Sequence, residues 1–313
     1  MKTKNFSLKM NDGTEIFVNR WEPDAPEQIK AIVQLHHGLA EHSMRYDRLG
    51  SVLAENGYVL NAYDMRGHGK TAETAENNGS GLFGQLKKED GFSAAVEDLA
   101  FIIDSYKNEY PDKKIILLGH SFGSFVSQSY IEKYGDKIDG CILCGTSGPQ
   151  IPLAKFGHLV CKIVMGIKGG DSKVPFLTKL FFGSFNKKIE NPATPDDWIS
   201  ANELNREMYS MDKWCGFPLT TSFFYDITEA LCTIHKSKNI KKIPTTLPIL
   251  FIYGEDDPVG GYGKTIKKLR DIYLKNGIKD VQLKSYENDR HEIFNEDDKE
   301  VVEKDVIEWL NKF

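Results

Sequence analysis

The chain has 313 residues, of which 40% are hydrophobic and 27% are charged, and its formal net charge is −5. This length allows one large domain with an insertion, and the residue balance is that of a soluble globular protein. The negative net charge argues against a nucleic-acid partner. The N-terminal residues lack the apolar run of a secretion signal, and no apolar stretch reaches about 18 residues, so we predict a cytoplasmic protein.

Strand and helix patterns alternate along the first part of the chain. An Asn-Asp-Gly turn at 11–13 separates two strand-like runs, and further strands are predicted at 29–36 and 58–63. Apolar residues at helical spacing lie between these two strands and again over 94–110. The alternation predicts an α/β fold, in which helices cover both faces of a mostly parallel sheet. The loops after the strands then gather at one edge of that sheet.

A buried strand is predicted at 114–118, and Gly-His-Ser-Phe-Gly at 119–123 connects it to a helical pattern. A serine between two glycines at a strand-to-helix turn is typical of a nucleophile elbow. The turn needs a strained backbone and small neighbours, and it directs the serine hydroxyl away from the sheet. We therefore predict that Ser121 is a nucleophile and that the Phe122 N–H points to an oxyanion. The alternative is a structural turn serine.

The five cysteines are an odd number, which argues against a disulfide framework. Cys141 and Cys144 have the spacing of a redox or metal pair, but they lie in a strand-like apolar run and no second pair follows. We predict two buried, reduced thiols that point nearly the same way along their strand. No metal site is predicted.

The alternation stops between about residues 146 and 246. Aromatic residues and lysines cluster there, as at 176–182 and 223–225, and no strand pattern occurs. We predict a mainly helical cap over 146–246, inserted above an α/β-core that comprises 1–145 and 247–313. The alternative is a second packed layer without a function of its own.

Strand and helix patterns resume at 247–253 and continue through a strand at 281–286 to a last amphipathic helix. A serine nucleophile needs a base that is itself held by an acid. His291 lies in the loop before the last helix and is the strongest candidate for that base. The other histidines are weaker candidates: His36, His37, His42, His68 and His120 lie near other strand ends, whereas His158 and His235 belong to the predicted cap.

The candidate acid follows the strand at 247–253, which runs directly into Gly-Glu-Asp-Asp-Pro-Val. Three adjacent carboxylates cannot all be buried at low cost, so one is expected to face the site while the others stay in water. Spacing alone does not decide between Asp256 and Asp257. The chain order serine, aspartate, histidine is the order of this elbow class.

A second oxyanion donor is expected in the loop after the third strand. Leu39 places its N–H in the right layer, and Gly38 lets the chain approach a bound ester closely. His37 and His42 are interpreted as residues that hydrogen-bond this loop rather than as catalytic groups. The segment 64–69, Asp-Met-Arg-Gly-His-Gly, is expected to fix a turn in which the arginine and histidine pair with carboxylates.

Four segments together resemble a known family, the α/β-hydrolases of the monoacylglycerol lipase and lysophospholipase group, which are often described as serine aminopeptidase-like. Residues 37–46 match its His-Gly-x-x-Glu-His-x-x-Arg-Tyr signature, and 64–69 match its Asp-x-x-Gly-His-Gly segment. Residues 254–260 are similar to the stretch that carries the acid, and 290–292 match the block that carries the base. The similarity spans nearly the whole chain. Phe122 departs from the family pattern, since many relatives have methionine there.

The resemblance implies an α/β-hydrolase fold with a triad of Ser121, Asp257 and His291. It selects Asp257 because the aspartate before Pro-Val is the acid in bacterial members. It also implies that Leu39 and Phe122 donate the oxyanion hydrogen bonds. No metal or organic cofactor is expected for this chemistry.

The predicted function is hydrolysis of a fatty-acyl ester through an acyl-enzyme, with a monoacylglycerol or lysophospholipid as the expected substrate. Two alternatives remain: a serine aminopeptidase and a non-catalytic small-molecule binder with the same fold. We expect a small-molecule acyl ester as the partner, no nucleic acid, and at most transient membrane contact through the cap. The sequence does not give the oligomeric state. An aminopeptidase would grip a substrate ammonium with cap carboxylates, for which Glu190, Asp196, Asp197, Glu203, Glu207 and Asp212 are available.

Overall fold

An eight-stranded sheet forms the centre of the molecule. The computed structural model describes residues 1–313. Across the sheet the strands follow the order β1-β2-β4-β3-β5-β6-β7-β8, and all pairs are parallel except β1 with β2 and β2 with β4. This confirms the predicted α/β fold. In chain order the strands are β1 (Lys2–Lys9), β2 (Glu15–Glu22), β3 (Ala31–His36), β4 (Tyr58–Tyr63), β5 (Lys114–His120), β6 (Gly140–Cys144), β7 (Ile249–Gly254) and β8 (Val281–Tyr286).

Eleven α-helices surround the sheet. Helices α3, α4 and α10 cover one face and α1 and α11 cover the other, so the core lies in two layers. The polar helix α2 was not among the predicted elements, because its only apolar side chains are those of Ala72 and Ala75. The helices are α1 (Asp47–Glu55), α2 (Gly69–Asn77), α3 (Gly91–Glu109), α4 (Phe122–Tyr134), α5 (Ile151–Lys168), α6 (Pro175–Phe182), α7 (Glu203–Met211), α8 (Thr221–Leu231), α9 (Ser237–Ile240), α10 (Lys264–Lys275) and α11 (Lys299–Leu310).

The central strands β3 to β7 are buried over almost their whole length, which explains why they read as continuous apolar runs. All five thiols are free. Cys141 packs in the core layer on one face of the sheet and Cys144 in the layer on the other. The expectation that the two thiols point the same way is therefore wrong, because residues three apart in a strand face opposite sides.

The strand register brings several loops to one edge of the sheet. His36 at the end of β3 lies opposite Gly119 of β5, and His120 lies opposite Cys144 at the end of β6. Gly254 at the end of β7 lies opposite Tyr286 at the end of β8. Because these strands are parallel, the residues that follow them emerge together, and this edge is where parallel sheets form their sites.

Five helices and no strand lie between β6 and β7. Among them α5 packs against α8, and α8 packs onto α3 and α4. The helical content agrees with the expected character of this segment, while its boundaries at 146 and 246 as a separate cap stay a prediction. None of the helices is both long enough and apolar enough to span a membrane.

Candidate active site

Ser121 occupies the sharp turn between β5 and α4. Its backbone has φ 52° and ψ −121°, a conformation that side chains rarely adopt, and its N–H donates to the Cys144 carbonyl at 3.0 Å. A Cβ atom at Gly119 would overlap the Ser127 hydroxyl, and one at Gly123 would overlap the His36 carbonyl. Both glycines are therefore required by close approach, as the sequence predicted for an elbow.

His291 and Asp257 form a buried hydrogen-bonded pair. His291 Nδ1 lies 2.9 Å from Asp257 Oδ2, and the other carboxylate oxygen accepts from the Val259 N–H at 2.8 Å. Asp257 is fully buried and Asp256 is exposed, so the structure distinguishes the two carboxylates that spacing could not. Because a carboxylate only accepts, it fixes the proton on Nδ1 and leaves the Nε2 lone pair of His291 free.

Ser121 and His291 line the same small cavity at the sheet edge. His291 Nε2 is buried and has no hydrogen-bond partner, and the structure contains no hydrogen bond between it and the Ser121 hydroxyl. The ring of Trp198, from the segment between β6 and β7, lies 5.0 Å from the imidazole ring of His291. The three predicted triad residues thus converge on one edge of the sheet, with His291 buried beside Ser121.

One of the two predicted oxyanion donors lines this cavity, and the other directly follows Ser121 in the chain. Leu39 lines the cavity with Ser121, and its N–H donates to no group of the protein. Phe122 is the first residue of α4, where an N–H has no acceptor within the helix. The Phe122 ring is buried against Phe223 at 5.0 Å, so the departure from methionine fills space between α4 and α8.

Glu41 organises the loop that carries Leu39. One of its oxygens accepts from the Gly38 N–H at 2.5 Å, from the Tyr46 hydroxyl at 2.9 Å and from His120 Nδ1 at 3.0 Å. His120 Nε2 lies 3.3 Å from the His291 carbonyl. This buried Glu41–His120 pair therefore connects the loop after β3 with the loop after β8.

The charges of this pair support each other. Burial acts to raise the pKa of Glu41, but the hydrogen bond and charge of His120, with the charge of Arg45, outweigh it and hold this pKa below its usual value. Burial acts to lower the pKa of His120, but Glu41 outweighs it and raises this pKa. Both groups are therefore favoured in their charged forms.

Arg45 and Glu292 form a second buried ion pair next to His291. The guanidinium contacts both carboxylate oxygens, the longer contact being 2.8 Å, and Asn205 Nδ2 donates to Glu292 at 2.8 Å. No role was predicted for Arg45, Glu292 or Glu41, although all three stand at fixed positions of the family motifs. Their contacts join residues far apart in the chain, so only the fold shows what they hold.

None of the remaining histidines forms a hydrogen bond with the Ser121 hydroxyl either. His37 donates to the Gly38 carbonyl at 2.7 Å and accepts from the Met65 N–H at 3.1 Å, in line with its interpretation as a loop residue. His42 pairs with Asp212 at 2.8 Å. These two side chains and the Cys215 thiol place their ligand atoms within 4.8 Å of one another, the one group with spacing suited to a metal ion.

The segment 64–69 fixes a turn, as expected. Asp64 accepts from the Ser43 N–H at 2.8 Å and from the Lys70 N–H at 2.7 Å. Arg66 pairs with Asp12 and Asp98, the shortest contacts being 2.8 and 2.6 Å. His68 hydrogen-bonds the Arg66 carbonyl rather than a carboxylate, so its part of that expectation is wrong.

Two larger cavities, distinct from the small one that contains His291, both include Leu39 in their walls. The first cavity has a volume of about 530 Å³ and is also lined by Ser121, and the second cavity has a volume of about 540 Å³. Phe182 and Trp198 line both cavities, and their stacked rings are 6.3 Å apart. The first cavity is walled mainly by apolar side chains, among them Phe125, Leu153, Phe181, Ile227 and Leu231.

Residues 27–298 match the family model described as serine aminopeptidase, S33. The chain belongs to this family. It is also similar to a monoacylglycerol lipase of Mycolicibacterium smegmatis, at 25% identity over 95% of this chain and 93% of the relative. A monoglyceride lipase of Mus musculus is 32% identical over 79% of this chain and 71% of the relative. The predicted membership of the monoacylglycerol lipase group is confirmed.

A solved structure agrees with this assignment. The chain is similar to a thermostable carboxyl esterase from Bacillus coagulans crystallised with glycerol, with a TM-score of 0.90 and 29% identity. That likeness covers 100% of this chain and 99% of the esterase. The predicted α/β-hydrolase fold is confirmed over the full length of the chain.

Proposed function

We propose that the protein hydrolyses fatty-acyl esters through a covalent acyl-enzyme formed on Ser121. The broader class, a carboxylic ester hydrolase, agrees with the lipases and the esterase to which the chain is similar. One observation carries the proposal. Ser121, on a strained turn, shares a cavity with His291, whose Nδ1 is bound to the buried Asp257.

The reaction proceeds in two halves. His291 Nε2 takes the proton of the Ser121 hydroxyl while the oxygen attacks the acyl carbon, and Asp257 stabilises the imidazolium that forms. The N–H groups of Leu39 and Phe122 hold the oxyanion. The imidazolium gives its proton to the leaving alcohol as the ester bond breaks. Water then attacks the acyl-enzyme with His291 again as the base, and the imidazolium returns this proton to the Ser121 oxygen as the fatty acid leaves. Each half returns the site to its starting charge without a cofactor.

The first cavity supports an acyl chain as the occupant. Its apolar walls would remove the chain from water, and each buried methylene contributes roughly 0.8 kcal/mol. Its two charged lining groups are Lys187 and Lys188, and Lys188 Nζ lies 3.3 Å from the centre of the Tyr262 ring. We propose a monoacylglycerol or a lysophospholipid as the substrate, in which a single acyl chain enters this cavity.

The positions of the carboxylates between β6 and β7 favour an ester over a peptide as the substrate. No carboxylate lines the cavity that contains the Ser121 side chain and the apolar walls, so a substrate ammonium would find no partner there. Asp197 is held by the N–H groups of Ala193 and Thr194, and Asp212 is bound to His42. Asp196 lines the second cavity instead.

The experiment is a comparison of kcat/KM for monoacylglycerols, lysophospholipids and p-nitrophenyl esters of graded chain length with aminoacyl amides. We expect hydrolysis of the fatty-acyl esters and no turnover of the amides, and loss of activity in a folded Ser121→Ala variant. Faster turnover of the amides would favour the aminopeptidase. Full activity of Ser121→Ala would reject the nucleophile, and absence of all hydrolysis would favour a small-molecule binder.

We further propose transient contact of the cap with lipid. Helix α5 exposes large apolar side chains, carries lysines and has no carboxylate, which suits a surface with anionic lipids. Contact at this face would bring a membrane-embedded acyl ester close to the first cavity, since Leu153 lies both on α5 and on the cavity wall. The exposed apolar side chains of α5 are Leu153, Phe156, Leu159, Ile163 and Ile167.

A further inference from the structure

A polar patch interrupts the apolar wall of the first cavity. Ser147, Gln150 and His235 all line this cavity, and we call these three residues the polar patch. Gln150 Nε2 donates to the Ser147 hydroxyl at 3.2 Å. Gln128, buried behind the patch, connects Ser147 with His235. The proposed acyl-enzyme mechanism uses none of these groups.

The hydrogen bonds of Gln128 determine which nitrogen of His235 carries the proton. Gln128 Nε2 contacts the Ser147 carbonyl at 3.2 Å and the Thr146 hydroxyl at 2.9 Å. A carbonyl only accepts, so the amide nitrogen of Gln128 must be on this side and its oxygen on the other. That oxygen lies 3.1 Å from His235 Nε2, which must therefore be the donor.

The second nitrogen of His235 is consequently a bare acceptor. A neutral imidazole with its proton on Nε2 has a lone pair on Nδ1. This Nδ1 atom is buried and has no partner, and the whole residue is only 9% exposed. Burial lowers the pKa of His235 to about 4, so the ring stays neutral at physiological pH. A buried acceptor without a partner is costly, so a donor from the cavity would be favoured.

We propose that the polar patch binds a hydroxyl group of the substrate, which donates to His235 Nδ1, and that the enzyme prefers hydroxylated esters to plain alkyl esters. This inference rests on the proposed function, because the same cavity contains Ser121. The apolar walls hold the carbon chain, and the hydroxyl donates to the imidazole acceptor in the polar patch. A charged ammonium is disfavoured as the donor, because the cavity has two lysines and no carboxylate.

The test measures kcat/KM of the full chain by pH-stat for pairs of ethyl esters of graded acyl length, with and without a terminal hydroxyl. A second set places the hydroxyl on the alcohol part, as in monoesters of diols compared with esters of simple alcohols. We expect a preference of about tenfold for the hydroxylated member at a matching length, the effect of one buried hydrogen bond. Because the acyl chain is proposed to enter this cavity, we expect the preference in the set with the hydroxyl on the acyl chain. A preference confined to the second set would place the alcohol part there and contradict the proposed position of the acyl chain.

Two variants complete the test. His235→Phe keeps an aromatic ring but removes the acceptor, so the ratio between hydroxylated and plain esters should fall to about one. His158→Phe is the matched control, since His158 is a second histidine between β6 and β7 and does not line the cavity. The ratio in this variant should stay as in the wild type.

Equal rates for both members of every pair in the wild type would overturn the proposal even if His235→Phe does not fold. A preference for hydroxylated esters that is retained in His235→Phe would also overturn the proposal. Hydrolysis without a preference overturns only this inference, whereas absence of any ester hydrolysis removes the proposed function.

Discussion

At the scale of single residues, the chemistry depends on how Asp257 and His291 are held. Asp257 uses one oxygen for the Val259 N–H and the other for His291 Nδ1, so its carboxylate is fixed in one orientation. The imidazole is confined by the ring of Trp198 on the side of the cap. The Nε2 atom of His291 is therefore left without a partner in the cavity that it shares with Ser121, as the proposed general base catalysis requires.

The first prediction separates the two neighbouring aspartates. Asp257→Asn should lower kcat by about 10⁴-fold, because an amide can present its NH₂ group to Nδ1 and so stabilise the wrong tautomer. Asp256→Asn should change kcat by less than about twofold, since Asp256 is exposed and outside the hydrogen bonds of the site. The measurement is steady-state hydrolysis of a short p-nitrophenyl ester. A severe defect in Asp256→Asn together with a mild one in Asp257→Asn would exchange the two assignments.

The second prediction concerns the buried Glu41–His120 pair. Glu41→Gln removes the charge that raises the pKa of His120 and weakens the acceptor of the Gly38 N–H. We expect a loss of about 3 kcal/mol in the free energy of unfolding in urea, because breaking a buried pair is strongly destabilising. We also expect a lower kcat, since the loop with the Leu39 N–H loses its anchor. Unchanged values of both would show that the pair has no organising role.

The difference in the free energy of unfolding between the wild type and Glu41→Gln should depend on pH. The raised pKa of His120 contributes stability that is fully present below its unfolded value of about 6.5 and is lost as the pH rises through the folded pKa. The lowered pKa of Glu41 contributes stability above its unfolded value of about 4.3, lost as the pH falls through the folded pKa. The stability gap between wild type and Glu41→Gln should therefore be largest near pH 5 to 6, roughly between the two unfolded values. A gap that keeps growing above the folded pKa of His120 would contradict this explanation.

At the scale of elements, the turn between β5 and α4 holds Ser121 at the edge of the sheet. Gly123 brings the first turn of α4 against the carbonyls of His36 and His37, at the end of β3. This contact also places the loop with Leu39 next to the N-terminus of α4. The elbow and the loop after β3 are thus one packed unit.

The third prediction tests this close approach. Gly123→Ala would place a Cβ atom against the carbonyl oxygens of His36 and His37, so it should destabilise the protein by about 1–3 kcal/mol and reduce activity. Gly166→Ala in α5 is the matched control. Nothing lies within 4 Å of its added carbon, and the change should be neutral or should stabilise by up to about 1 kcal/mol. The measurement is thermal and urea unfolding of both variants, and a Gly123→Ala variant as stable as Gly166→Ala would refute the packing argument.

Patterns that are local in sequence predicted much of this architecture. The buried strands, the elbow at Ser121 and the loop of His291 follow from runs and turns of a few residues. What could not be predicted depends on tertiary contacts. The residues alone left Asp256 and Asp257 open, because which carboxylate is buried depends on where β7 ends relative to β8. Glu41 and Arg45 likewise gain their roles only from partners on distant segments.

At the scale of the whole molecule, the segment between β6 and β7 closes the sheet edge and supplies most of the cavity walls. Phe181, Phe182 and Trp198 belong to it, whereas Ser121 and Leu39 belong to the core. The same segment also exposes the apolar side of α5. The cavity and the exposed face therefore share one structural unit, so the proposed substrate binding and the proposed lipid contact would take place on the same segment.

The fourth prediction follows from the exposed face of α5. Leu159 and Ile163 are 56% and 54% exposed, and neither lines the first cavity. Replacing both with Glu should weaken co-sedimentation with vesicles that contain anionic lipid by at least about tenfold, because apolar contact is lost and like charges repel. Hydrolysis of a short water-soluble ester should stay the same. Equal sedimentation of the variant and the wild type would exclude α5 as the lipid-contacting face.

The proposed mechanism requires that Ser121 is the residue that becomes acylated. The most direct measurement is mass spectrometry of the folded protein after reaction with a fluorophosphonate, followed by peptide mapping. We predict one covalent adduct, located on Ser121, and its absence in Ser121→Ala and after prior denaturation. An adduct on another residue, or an active protein that stays unlabelled, would contradict the account.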